Sequence, residues 1–92
     1  MDIKEFDKIT AQMRAIIEAK NADYAGTIDN ISLTGISGVA VRLLDKVARV
    51  HSLTTREAAA QVKTESVRDT LLDIANYAII GLMLLDDTWS KK

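Results

Sequence analysis

Glu65, Asp69 and Asp73 stand at every fourth position of the segment ESVRDTLLDIANY, and Asn76 follows three residues after the last of them. On a helix these four side chains fall within about 80° of arc. Three carboxylates and an amide on one strip can hold a hard divalent cation, because Mg²⁺ takes oxygen ligands and keeps several waters. Without a cation the strip repels itself, since like charges four apart cost a few tenths of a kcal/mol per pair on an exposed helix. A second compensator is present in the chain: Arg42, Lys46 and Arg49 form a basic strip of their own. Two readings therefore stand side by side, a binding site and an ion-pair network between two helices. Beyond Asn76 the acidic face continues as Ile80, Met83 and Leu84, so the carboxylates are expected at the mouth of a crevice.

Other chemistry is sparse. His51 is the sole histidine and there are no cysteines, which excludes a thiolate metal site or a disulfide framework. His51 is expected near a helix C-terminus, where a cation suits the macrodipole. No catalytic Ser–His–Asp spacing, phosphate-binding glycine loop or zinc motif occurs. Gly35 and Gly38 bracket a helix start where an anion could sit. The net charge of −1 lacks the electrostatic footprint of a nucleic-acid binder, so no direct nucleic-acid binding is expected. The longest apolar run, YAIIGLMLL, is too short to span a bilayer as a helix, and MDIKEFDKIT has no signal-peptide core. A soluble, cytoplasmic protein without a membrane partner is the expectation.

The elements that must position these residues are helical. Proline is absent, and apolar residues recur at three-and-four spacing across the 92 residues, which read as one all-α domain. A first helix is predicted over about 3–20, capped by Asp2, with Ile3, Phe6, Ile9, Met13, Ile16 and Ile17 as its apolar stripe. Residues 24–37 read as a long loop, a feature often tied to function in small domains. A second helix is predicted over about 36–53, with Asp45 placed to pair with Arg49 one turn on. Thr54 and Glu57 fit a capping box for a short helix over about 55–61, and Thr64 is expected to cap a last helix over about 65–88. Trp89 is expected to pack against a neighbouring helix or subunit. A chain this small with a helix apolar on every side from Tyr77 to Leu85 is expected to complete its core by oligomerisation.

Three blocks carry a resemblance. They are Lys20-Asn21-Ala22-Asp23-Tyr24, then, after Asn30 and Gly35–Gly38, Arg42-Leu43-Leu44-Asp45-Lys46-Val47-Ala48-Arg49, and then the long run from Glu65 to Ala78. In this order the chain resembles the phage and bacterial nucleotide modification associated domain 1 proteins, with their K-x-x-D-Y, R-x-x-D-K-x-x-R and E-S-x-x-D-T-L-x-D-x-A-N-Y patterns. That group is in turn similar to the all-α nucleoside triphosphate pyrophosphatases of the MazG and dimeric dUTPase type. The similarity implies a small MazG-like helical bundle of three main helices and one short one, assembled as a homodimer or homotetramer.

The resemblance further implies a nucleotide or other phosphorylated small molecule as ligand, and Mg²⁺ as the ion. Asp23, Glu65, Asp69 and Asp73 would hold the metal. Lys20, Arg42 and Lys46 would pair with phosphates, and Asn76 or Tyr24 would contact base or sugar. In the catalytic form the products are a nucleoside monophosphate and pyrophosphate. The chain departs from the MazG pattern in two places: Glu65 and Asp69 are four apart rather than three, and Arg42–Lys46 stands where a second acidic pair is expected. That departure supports the alternative, a non-catalytic phage-type binding protein that sequesters a nucleotide signal or inhibits a host defence protein. A third reading keeps Glu65, Asp69 and Asp73 as structural partners of Arg42, Lys46 and Arg49.

Overall fold

The structure, a computed structural model, describes the backbone of residues 1–24, 30–55 and 60–89 and the side chains of 1–22, 30–55 and 66–89. Its elements are three helices: α1 (Ile3–Tyr24), α2 (Asn30–Thr55) and α3 (Ala60–Leu85). The chain is thus an all-α helical bundle, as the apolar spacing predicts, and no strand occurs among the described residues.

Asp2 begins α1 as a cap. Its Oδ1 accepts from the Glu5 amide at 3.2 Å and its carbonyl from the Phe6 amide at 3.0 Å. The helix runs on through Asn21 to Tyr24, past the expected stop near residue 20. Asn and Asp tolerate non-helical backbone but do not impose it.

The expected loop over 24–37 is largely helix instead. Asn30–Thr34 already coils, and α2 is broken only at Gly35, whose φ of 65° and ψ of −149° lie in territory that essentially glycine alone occupies. After this kink the helix resumes. At Gly38 an added Cβ would overlap the Thr34 side chain, whose hydroxyl donates to the Asn30 carbonyl at 2.6 Å. The scattered glycine, Ser and Thr of this stretch therefore mark a kink and a tight side-chain fit rather than an irregular connection.

The ends of α2 and α3 also correct the capping scheme. Thr54 lies inside α2, and its hydroxyl donates back to the carbonyls of Val50 and His51, each at 3.0 Å. A threonine bonding the preceding turn satisfies itself within its own helix, so it does not serve as an N-cap. Glu57, the other half of that box, lies outside the described residues, as do 56–59 of the expected short helix. Thr64 is within α3 rather than at its start, and α3 ends at Leu85. Asp87, at φ 57°, supplies a left-handed turn after α3, and the Thr88 amide closes it on the Met83 carbonyl at 2.8 Å.

The close helix–helix approaches all involve α3: α2 packs along it extensively and α1 more sparsely. Gly81 lets Val39 and Ile36 of α2 come up against the α3 backbone. Ile31, Val39 and Ile80 form the buried cluster, and Ile17, Leu43, Tyr77, Leu84 and Trp89 pack around it. Trp89 thus meets the expected packing role within the chain itself. The cluster is small. Ile3 and Phe6 of the α1 stripe are at least half exposed, and Leu82 and Leu85 of the apolar end of α3 are largely so. A groove of about 590 Å³, lined by Ile9, Met13, Val67, Leu71, Leu72 and Ala75, opens between α1 and α3. No helix among the described residues is long and apolar enough to cross a membrane.

Candidate functional site

Asp73 is the junction of the three helices. It sits in mid-α3, half-buried, and each of its oxygens takes a different lysine. Lys46 Nζ from α2 donates to Oδ2 at 3.0 Å, and Lys20 Nζ from α1 lies 3.5 Å from Oδ1. The acidic strip turns inward along α3. Asp69 is exposed, Asp73 is half-buried, and Asn76 is only 6% exposed. Asp69 has no ion pair among the described residues. The side chains of Asp23, Tyr24 and Glu65 lie outside the described residues.

Asn76 is the unusual member. Its Nδ2 donates to the Met13 carbonyl of α1 at 3.1 Å, and its Oδ1 is buried with no hydrogen-bond partner among the described residues. Exchanging the amide's O and N does not repair this, because it would set two acceptors face to face. A buried carbonyl without a protein partner is normally satisfied by an ordered water or a ligand. Asn76 lines a cavity of about 40 Å³ together with Ile17, Lys20, Asp73, Tyr77 and Trp89. That volume accepts one water-sized group. The cavity joins a cationic rim, an orphaned acceptor and two aromatic side chains.

The basic strip is dispersed differently from the expectation. Arg42 pairs at 3.8 Å with Asp45, one turn ahead of it, and Asp45 does not pair with Arg49. The interhelical network between the acidic and basic strips reduces to Lys46–Asp73 among the described residues. The reason is rotational. On α2, Lys46 lies only about 20° around the helix from the buried Val39, whereas Arg42 and Arg49 lie about 60–80° from it and Asp45 about 120°. Lys46 is therefore the member of the strip that meets α3. Lys20 and Lys46 are brought together, whereas Arg42 stays on the outer surface, half exposed.

Sequence spacing missed several participants. Tyr77, Trp89 and Ile17 line the cavity. Arg68 leaves the acidic strip and donates to Gln12 Oε1 of α1 at 2.6 Å, so α1 is tied to α3 at three levels through Gln12, Met13 and Lys20. Tyr77 was legible in principle, since it stands four residues after Asp73 and shares its face.

A Mg²⁺ shell can be weighed against this geometry. No three of the histidine, aspartate and glutamate side chains described converge closely enough to share an ion. Asp73, the best-placed donor, already has a lysine on each oxygen. The other two residues expected to hold the ion, Asp23 and Glu65, have side chains outside the described residues, and Mg²⁺ is commonly held by one or two carboxylates with waters and substrate phosphates.

The fold and site define a class: a small all-helical bundle with a lysine–carboxylate–amide cluster where its three helices meet. Residues 20–85 match the family described as nucleotide modification associated domain 1, and the chain belongs to that family. The match spans all three blocks and every member of the cluster except the flanking Ile17 and Trp89. Neither a curated protein nor a solved structure matches the chain.

Proposed function

We propose that the protein binds a nucleotide, with Lys20 and Lys46 pairing its phosphates and the cavity beside Asn76 receiving a hydrogen-bond donor from the rest of the ligand. The observation that carries this reading is Asn76 Oδ1, buried without a protein partner among the described residues in a cavity it shares with Lys20 and Asp73, with Lys46 arriving on Asp73 from a separate helix. Asp73 acts as the organiser. One carboxylate held between two ammonium groups keeps both cations in place and leaves a net charge of +1 for an anion to meet. Each ammonium has three donors, and only one is spent on Asp73. The family's description, with its reference to nucleotide modification, supports a nucleotide over other phosphorylated molecules. An exocyclic amino group of a base is of the size that the cavity of about 40 Å³ accepts. Tyr77 and Trp89 beside it offer aromatic surface to the ring.

Binding without hydrolysis is the form favoured here. The hydrolytic form, a MazG-like cleavage to monophosphate and pyrophosphate, relies on Mg²⁺ held by Asp23, Glu65, Asp69 and Asp73. It would require Asp73 to exchange both lysines for the ion. The sequestering, phage-type role is the biological counterpart of the binding form.

Isothermal titration with a panel of nucleoside mono-, di- and triphosphates, each with and without Mg²⁺, tests the proposal. The expected result is metal-independent binding of at least one member, weakened tenfold or more in Lys46→Ala. Pyrophosphate release is followed in the same samples and is expected to be nil. Absence of binding by every nucleotide overturns the reading; turnover that depends on Mg²⁺ replaces it with the hydrolytic form.

A further inference from the structure

The second helix presents a face that nothing among the described residues covers. From Gly35 onward, Ser37, Ala40, Val41, Leu44, Val47, Ala48 and His51 share an arc of about 120°. All seven are exposed, Leu44 at 69% and Val41 and Val47 each at 55%. The charged residues of α2, Arg42, Asp45, Lys46 and Arg49, all lie outside that arc. Val39, Leu43 and Val50 face α3 on a third side. A surface helix in a monomer normally gives its outward face to charged groups. Here the charges are displaced and the outward face is left apolar.

Two further observations say what covers it. A compact chain of 10.1 kDa exposes about 5,300 Å². This one exposes 6,776 Å², and its radius of gyration of 14.7 Å exceeds the roughly 12 Å of a compact domain of this length. The excess, about 1,500 Å² per chain, is shared among all three helices, with Phe6 of α1 and Leu71, Leu82 and Leu85 of α3 exposed as well as Val41, Leu44 and Val47, and it is surface of the amount that assembly of like chains covers. The order of residues on the face is also symmetric about Leu44. Val41 and Val47 stand three residues to either side, and Ala40 and Ala48 four residues to either side. An interface formed around a two-fold axis requires that if residue i meets j, then j meets i. An antiparallel crossing of two α2 helices at Leu44 meets that condition. In such a crossing Leu44 would face its own copy and Val41 would face the partner's Val47, with the small alanines letting the backbones approach.

We infer that the occupant of this face is a second copy of the chain, packed through antiparallel α2 helices with the two-fold axis at Leu44. The charge-free arc means that no like charges are set against each other by the symmetry. Lys46, on the far side of the helix, keeps its place on Asp73, so the lysine–amide cavity stays outside this interface.

Sedimentation equilibrium of the full chain at micromolar concentration tests the assembly. The expected species is a dimer, or a tetramer built from it, and Leu44→Asp is expected to halve its mass. Leu44 is mostly exposed in the single chain, but a dissociated chain could also unfold, so cross-linking supplies an independent readout. The chain has no cysteine of its own. Leu44→Cys is expected to form a disulfide-linked dimer under mild oxidant. An equimolar mixture of Val41→Cys and Val47→Cys chains, distinguished by mass, is expected to link 41 to 47 in preference to 41 to 41 or 47 to 47. A monomeric wild type overturns the proposal, as does an assembly whose mass Leu44→Asp leaves unchanged or preferential 41-to-41 linkage.

Discussion

Replacing Asn76 with leucine separates the two roles a buried amide can have. In the structure its Nδ2 bonds the Met13 carbonyl, a net gain of about 0.5–1.5 kcal/mol, while its Oδ1 has no protein partner among the described residues and faces a cavity that a water or a ligand can fill. Leucine removes both. The Met13 carbonyl is not stranded, because it lies in mid-α1, where the amide four residues later also reaches it. The adjoining cavity of about 40 Å³ gives the larger side chain room. A water can enter that cavity and serve Oδ1, so the balance predicts Asn76→Leu to lie within about 1 kcal/mol of the native chain, a change in Tm of less than about 8 °C at this chain length. Nucleotide affinity, measured by titration calorimetry, is expected to fall at least tenfold in the same variant. Stability kept while binding is lost is the signature of a group retained for a ligand. A loss of more than about 1 kcal/mol in Asn76→Leu would refute the reasoning, because it would mean the amide is fully satisfied and structural.

Asp73→Asn frees Lys20 and Lys46 from their shared carboxylate. It is expected to cost about 1–2 kcal/mol in chemical denaturation, between the values for exposed and buried pairs, yet to keep or raise nucleotide affinity. Loss of a Mg²⁺-dependent affinity in that variant would point to Asp73 as a metal ligand instead. Gly38→Ala drives a methyl group into the Thr34 side chain and is expected to cost about 1–3 kcal/mol, read as a fall in the denaturant midpoint. The double variant with Thr34→Gly is expected to recover part of that loss, since it removes Thr34 Cβ as well as the hydroxyl, whereas Thr34→Ala would leave Cβ 2.5 Å from the added methyl.

The all-α class, the cap at Asp2 and the inward turn of the acidic strip at Asn76 could all be read along the chain. Each depends on neighbours within one or two helical turns, where the 3.6-residue period fixes the geometry. Family membership was legible for the same reason, because it rests on the order and spacing of side chains in three short blocks. Local order did not reveal which residues end a helix when the breaker is weak. Asn21 is passed through, Thr54 bonds its own helix rather than starting the next, and the stretch from Asn30 onward is helical on both sides of the single break at Gly35.

What only the tertiary structure decided is partnership. The sequence set Arg42, Lys46 and Arg49 in one strip and Glu65, Asp69 and Asp73 in another, but it could not say which cation meets which carboxylate. The rotation of α2 against α3 gives Lys46 to Asp73 and leaves Arg42 to Asp45, and α1 brings Lys20 to the other oxygen. The orphaned Asn76 carbonyl is likewise invisible along the chain, because satisfaction of a buried polar group depends on atoms far away in sequence. The sequence alone determined the helices and the residue types on each of their faces. Packing three of them at particular rotations determined the site.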